Sequence, residues 1–250
     1  MGTMAALAAA IQFLLITPPI VRRGFTRTEL GRSTAFFPLV GALLGTFLAA
    51  FEALLTPVFS TEIRSALVMV MWIGLTGGLH FDGLLDTVDG LLGGGTPERR
   101  LQIMRDEHTG AYAVAAAGLI LLTMFSALNA IPEPRWDALL IAPALGRCGL
   151  TVCIAAFPYA RPEGLGRDIK DHTRPIDVGI ALFTTVALVL LVGGLTNALT
   201  AAAALLSALI VGYLASVVIL KRIPGMTGDT YGAINMLIEV TVLLAFAAVH

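Results

Sequence analysis

Charge is scarce in this sequence: 13% of its 250 residues are Asp, Glu, Lys or Arg, against about 25% in ordinary soluble domains. With 57% hydrophobic residues and a mean hydropathy of +0.86, that shortage excludes a soluble globular chain. Cysteine is nearly absent. Cys148 and Cys153 lie in an apolar run with neither CxxC nor Cys/His ligand spacing, and read as buried reduced thiols. No GxxxxGK[ST] loop, HExxH pair or Ser/His/Asp arrangement occurs, so P-loop ATPase chemistry is excluded and protease-type chemistry has no support. No internal repeat is evident, which disfavours inverted-repeat transporters. Residues 1–20 lack a basic n-region and a clear small-residue cleavage site, and are not expected to be a removed signal peptide. The net charge of −1 says nothing about partners.

What is present is a series of apolar stretches, at roughly 4–20, 34–56, 65–79, 111–131, 138–157, 176–195, 199–220 and 231–249. Spans of about 20 residues each consume the length. The expected fold is all-α, a polytopic transmembrane helical bundle of about seven to eight membrane segments, forming one integral-membrane catalytic domain over 1–250. The first stretch is short and ends at Thr17-Pro18-Pro19, which suits a re-entrant or half-spanning element. Abundant Gly, Ala, Ser and Thr suit close helix approach in lipid. The connections 21–33, 80–110, 158–175 and 221–230 hold thirteen Lys/Arg, whereas 57–64, 132–137 and 196–198 hold two. Positive-inside bias therefore puts the four basic connections in the cytoplasm.

One stretch stands apart, running from Gly77 through His80, Asp82, Asp86 and Asp89 to Leu91. The three aspartates are at i, i+4 and i+7, so on a helix they fall within roughly 60° of one another. Phe81, Leu84, Leu85 and Val88 between them are apolar. Like charges on one stripe near lipid are costly, and a divalent cation relieves the repulsion. Oxygen-only ligands favour Mg²⁺ or Mn²⁺ over zinc. A solvated helix face is the bland alternative, but such a face normally mixes Lys, Glu and Ser.

Asp106 could supply a further ligand, and Arg99, Arg100 and Arg105 could hold phosphate oxygens or serve as a membrane anchor. Gly93, Gly94 and Gly95 form a flexible connector. Arg161, Arg167, Lys170 and Arg174 as a group suit an anionic substrate, although positive-inside bias explains most of them. Arg147 lies inside an apolar span and reads as functional by default, or as the partner of a buried acid such as Glu52 or Glu239. Asp229 at the start of the last span is a catalytic or an N-cap residue. His80, about 160° from Asp82 on a continuous helix, suits substrate contact better than sharing the metal stripe.

Clustered carboxylates with a divalent metal, ringed by Arg, are equipment for attack at phosphorus. The acidic spacing resembles that of the CDP-alcohol phosphotransferases, but their Ala-Arg element and second Asp-x3-Asp pair are missing. An ion-coupled transporter could use the same cluster. Five runs then occur in order: Phe37-Pro38-Leu39-Val40-Gly41, the Gly77–Leu91 run, Met104-Arg105-Asp106 to Thr109-Gly110-Ala111-Tyr112, Arg161-Pro162-Glu163-Gly164-Leu165-Gly166 and Gly228-Asp229-Thr230-Tyr231-Gly232-Ala233. Together they resemble the cobalamin synthase family, the adenosylcobinamide-GDP ribazoletransferases, over nearly the whole chain.

The resemblance implies that the ribose 3′-hydroxyl of α-ribazole, or of its 5′-phosphate, attacks the cobinamide-linked phosphorus of adenosylcobinamide-GDP. GMP leaves in a Mg²⁺-dependent step, one late in vitamin B12 assembly. On that basis Asp82, Asp86, Asp89 and Asp106 are expected to bind metal. Asp86, Asp89 and His80 are expected to be catalytic, with Asp89 a metal ligand or general base. Arg99, Arg105, Arg147, Arg161 and Asp229 are expected to bind substrate. The implied setting is a bacterial or archaeal cell (inner) membrane, crossed several times, with the active site facing the cytoplasm. Partners are the small-molecule substrates and membrane lipid, with homo-oligomers and other corrinoid-pathway enzymes left open and no nucleic acid expected.

Overall fold

In hydrocarbon, a spanning segment must satisfy its own backbone groups, so apolar runs of this length form helices. The computed structural model describes residues 2–106 and 108–249. Among them the regular elements are helices: α1 (Gly2–Leu14), α2 (Arg27–Ser33), α3 (Phe37–Leu55), α4 (Thr61–Leu75), α5 (Leu79–Leu92), α6 (Pro97–Ile103), α7 (Ala111–Ala130), α8 (Trp136–Ala156), α9 (Leu165–His172), α10 (Pro175–Leu195), α11 (Ala198–Leu220) and α12 (Gly228–Ala248). A single-turn 3₁₀ helix, Thr34–Phe36, joins α2 to α3.

Six helical stretches are long and apolar enough to cross a membrane, with α2 and α3 counted as one continuous stretch. The pair α4 and α5 makes a seventh if it is one broken span, bent by 86°. The bend falls at Gly77 and Gly78, whose φ of +61° and +69° lie in the left-handed region that glycine enters without a Cβ penalty. The 13 residues of α1 reach about 20 Å, short of a bilayer core of about 30 Å. The seven-to-eight expectation thus holds at its lower bound, because the run at 4–20 ends its helix at Leu14, before the two prolines.

Helices α8 and α12 form the buried centre, while α7, α10 and α11 leave most of their surface outward. Small residues bring the central helices together, as expected where packing drives association in lipid. Gly41 and Gly45 of α3 meet the backbone of α8: a Cβ on either would stand 2.4 Å from the carbonyl oxygen of Pro143 or Leu139. Gly83 of α5 and Gly232 of α12 do the same for that pair, each lying against the other's Cα.

The connections sort into two ends. At one end Arg27 pairs with Asp168 at 3.1 Å, Arg222 donates to the Leu91 carbonyl at 2.8 Å, and the 158–160 and 226 backbones bond reciprocally at 2.7 and 2.8 Å. The four basic connections are thereby gathered on one side. At the other end the two basic residues are both buried and paired, Arg64 with Glu133 and Arg135 with Glu52.

Candidate active site

The site is built at the basic end, on α5 and the start of α12. Helix α5 covers Leu79–Leu92, so Asp82, Asp86 and Asp89 do share a helical stripe. Asp82 is in the first turn, where the helix dipole favours a carboxylate. Thr227 caps α12, its hydroxyl accepting from the Thr230 N–H at 3.2 Å, and this sets Asp229 in the first turn. Because Gly83 has no side chain, the Asp229 backbone lies against α5; a Cβ at Gly83 would stand 2.8 Å from the Asp229 carbonyl oxygen. The backbone bridge between Tyr159 and Met226 then brings Arg161 to Asp229, whose Oδ2 accepts from Nη2 at 2.7 Å.

The result is a cluster of carboxylates beside one cation. Asp86 is half-buried and feels the charges of Asp82, Asp229, Arg161 and Asp89. Asp82 is exposed. Neither has an ion-pair partner among the described residues, whereas Asp229 does. Next to them a cavity of about 180 Å³ is lined by His80, Asp82, Gly83, Gly228 and Asp229, with apolar walls from Leu150, Ile154, Ile169 and Tyr231.

Two of the four carboxylates expected around a metal are occupied otherwise. Asp89 is buried and accepts the Gly110 N–H at 2.6 Å and the Ala113 N–H at 2.8 Å. Both belong to the start of α7, whose first amides have no intrahelical acceptors. A Cβ on Gly110 would stand 2.7 Å from the Asp89 oxygens, so glycine is what lets the carboxylate in. Asp106 is exposed and accepts from His108 Nδ1 at 2.7 Å and the His108 N–H at 3.0 Å. Those bonds hold its carboxyl below the usual carboxylate range. No group of three His, Cys, Asp or Glu side chains stands in metal-holding geometry among the described residues. Mg²⁺, however, is usually held by one or two carboxylates, with substrate phosphates and water completing its shell. Asp82 and Asp86 fit that requirement.

The arginines divide similarly. Arg161 is at the cluster. Arg105 is exposed and acts electrostatically on Tyr159, so it stands on the same side. Arg99 is exposed, within 3.4 Å of Gln102 Oε1. Arg100 turns inward, donating to the Leu91 carbonyl and to that of Gly95 at 3.3 Å, and with Arg222 it covers the C-terminal end of α5, where cations are favoured. Arg147 is 1% exposed within α8, ion-paired to Glu239 of α12 and 3.2 Å from His80 Nδ1. It thus stands behind His80, not at the open mouth. Sequence reading offered Glu239 only as an alternative partner and passed over Asn235, one turn earlier on α12 and also buried. Their signal was present: polar side chains four apart within an apolar span.

The family model of cobalamin-5-phosphate synthase matches residues 6–247. Among similar proteins, the adenosylcobinamide-GDP ribazoletransferase of Pseudomonas syringae pv. syringae is 40% identical over 242 residues, covering 95% of this chain and 97% of the relative. The protein of that name from Pseudomonas savastanoi pv. phaseolicola is 41% identical over 245 residues, with 95% and 97% covered. That of Stutzerimonas stutzeri is 38% identical over 246 residues, with 98% of each covered. No solved structure matches.

Proposed function

This chain belongs to the cobalamin-5-phosphate synthase family, and on that premise we propose that it joins α-ribazole, or its 5′-phosphate, to adenosylcobinamide-GDP in a Mg²⁺-dependent phosphotransfer at the cytoplasmic face of the cell membrane. The observation that carries the site assignment is that Asp82 and Asp86, without ion-pair partners among the described residues, stand beside the Asp229–Arg161 pair, with Asp82 and Asp229 lining a cavity.

In the reaction the ribose 3′-hydroxyl oxygen forms a bond to the cobinamide-linked phosphorus. The bond from that phosphorus to the GMP oxygen breaks, and the hydroxyl proton passes to a base. Asp82 and Asp86 would hold Mg²⁺, which when bound neutralises phosphate oxygens and eases departure of the leaving group. Arg161, fixed by Asp229, offers a bidentate donor to a phosphate, and Arg105 and Arg99 stand outside it as exposed cations. Asp89 acts through the fold: by accepting two amides of α7 it sets the connection that carries Arg105 and Asp106 against α5. The apolar wall formed by Leu150, Ile154 and Ile169 excludes water from one side of the reacting group, where electrostatic contacts gain strength.

The test is the joining reaction itself. Purified protein in nanodiscs, given adenosylcobinamide-GDP, α-ribazole 5′-phosphate and Mg²⁺, should release GMP and form the joined corrinoid, both followed by chromatography. A folded protein that forms neither product overturns the reading, and corrinoid counterflow without chemical change would favour a transporter instead.

A further inference from the structure

One side chain at this site has its proton position dictated by a neighbour. His80 sits in the first turn of α5, is 3% exposed and lines the cavity. Its Nδ1 lies 3.2 Å from Nη2 of Arg147. A guanidinium has five N–H donors and no acceptor. Nδ1 must therefore accept in this contact, and a neutral imidazole that accepts at Nδ1 carries its proton on Nε2. Nε2 is buried and has no partner among the described residues, so in a residue that lines the cavity its N–H is a donor not spent within the protein.

Arg147 is held in turn. Its guanidinium pairs with Glu239, and both side chains are 1% exposed. Gly146 makes the room: a Cβ there would stand 2.7 Å from Asn235 Oδ1 and 3.0 Å from Glu239 Cγ. A charged pair inside a membrane helix bundle is costly to keep. Replacing such a pair by apolar side chains of similar volume is often neutral or stabilising. Stability alone therefore does not require the pair, and its contact with His80 gives it a use.

We infer that Arg147 and Glu239 are positioning residues that lock His80 as its Nε2–H tautomer, making His80 a hydrogen-bond donor to an acceptor oxygen of the bound substrate and not the base. The inference rests on the phosphotransfer reading above. With Nδ1 engaged by Arg147 and Nε2 protonated, the ring has no lone pair for the proton of the attacking hydroxyl, and that proton goes to a carboxylate. A neutral donor also suits its neighbours. It lines the same cavity as Asp82 and Asp229 and offers an N–H to a phosphate oxygen without adding a cation that those carboxylates would capture.

The experiment is ¹⁵N-histidine NMR of the full chain in nanodiscs without substrate. The sequence has four histidines, and the His80 signals are identified by their loss in His80→Gln. The expected result is an unprotonated Nδ1 and a protonated Nε2 in the wild type. In the double variant Arg147→Met, Glu239→Met, which removes both charges together, the two tautomers should mix and kcat should fall by about 100-fold, the scale of losing one positioned donor. His80→Gln, whose amide can donate near the Nε2 position, should retain more activity than His80→Asn. Should the double variant fail to fold, Arg147→Lys keeps a donor and should keep the tautomer. An Nδ1–H tautomer in the wild type overturns the inference, as does a folded double variant with wild-type kcat. A wild type that joins no corrinoid sinks the proposed reaction, while the NMR result still decides the tautomer.

Discussion

Asp86 and Asp89 are three residues apart on one helix, and their surroundings give them different work. Asp89 spends both oxygens on the amides of Gly110 and Ala113; Asp86 lies among like charges, with Arg161 the cation acting on it. Asp89→Ala should therefore lower the melting temperature, since it leaves two amides at the start of α7 without acceptors, each at a cost of about 1–3 kcal/mol if buried. Asp86→Ala should leave melting unchanged or raise it, by removing a like charge beside Asp82, while turnover collapses. Thermal unfolding and GMP release measured on both variants check the contrast, and equal melting losses would refute it. The stripe itself was readable from the spacing of Asp82, Asp86 and Asp89. That its last member is consumed by backbone was not, because Gly110 is 21 positions away and nothing local fixes where α7 begins. Asp106 was likewise readable as an acid near Arg105, but its bond to His108 depends on the turn between α6 and α7.

Among the elements, the site depends on how closely α5 and α12 approach. Gly83 and Gly232 set that distance, and with it the spacing between the Asp82–Asp86 face and Asp229. Gly83→Ala would drive a methyl to 2.8 Å from the Asp229 carbonyl oxygen. The helices must part, and activity should drop by about 100-fold, since a misplacement of about 1 Å can cost that much. Gly118→Ala on α7 meets nothing within 4 Å and should behave as wild type in both activity and melting. Rates from the two alanine variants decide this, and equal activity would show that the approach is not limiting. Hydrophobic runs foretold the long helices well, since each must satisfy its own backbone in lipid. The 86° turn between α4 and α5 was less visible. Gly77 and Gly78 marked a break in the apolar run, but the angle comes from α5 packing on α12 and α7.

For the whole molecule, sidedness is the property that joins fold to function. Arg64 and Arg135, the basic residues at the far end, are buried and neutralised by Glu133 and Glu52, which leaves the exposed cations at the end carrying α5, α6 and α9. A cysteine introduced by Glu163→Cys should react in intact cells only with a membrane-permeant thiol reagent, and one from Ser60→Cys with an impermeant reagent added outside; the native Cys148 and Cys153 are buried and should give little background. The reverse pattern would invert the topology. Charge counts along the sequence were enough to separate the basic connections from the others, whereas the pairing that removes the two exceptions needed the fold. In the proposed reaction, carboxylates of α5 use Mg²⁺ to transfer a phosphoryl group. The most direct measurement is Mg²⁺-dependent GMP release by wild type and Asp86→Asn, side by side in nanodiscs with adenosylcobinamide-GDP and α-ribazole 5′-phosphate. Activation by Mg²⁺ should be saturable and abolished by EDTA, and the rate should fall by about 100-fold or more in the variant at unchanged melting temperature. Turnover that persists without divalent metal, or a variant close to wild type, would contradict it.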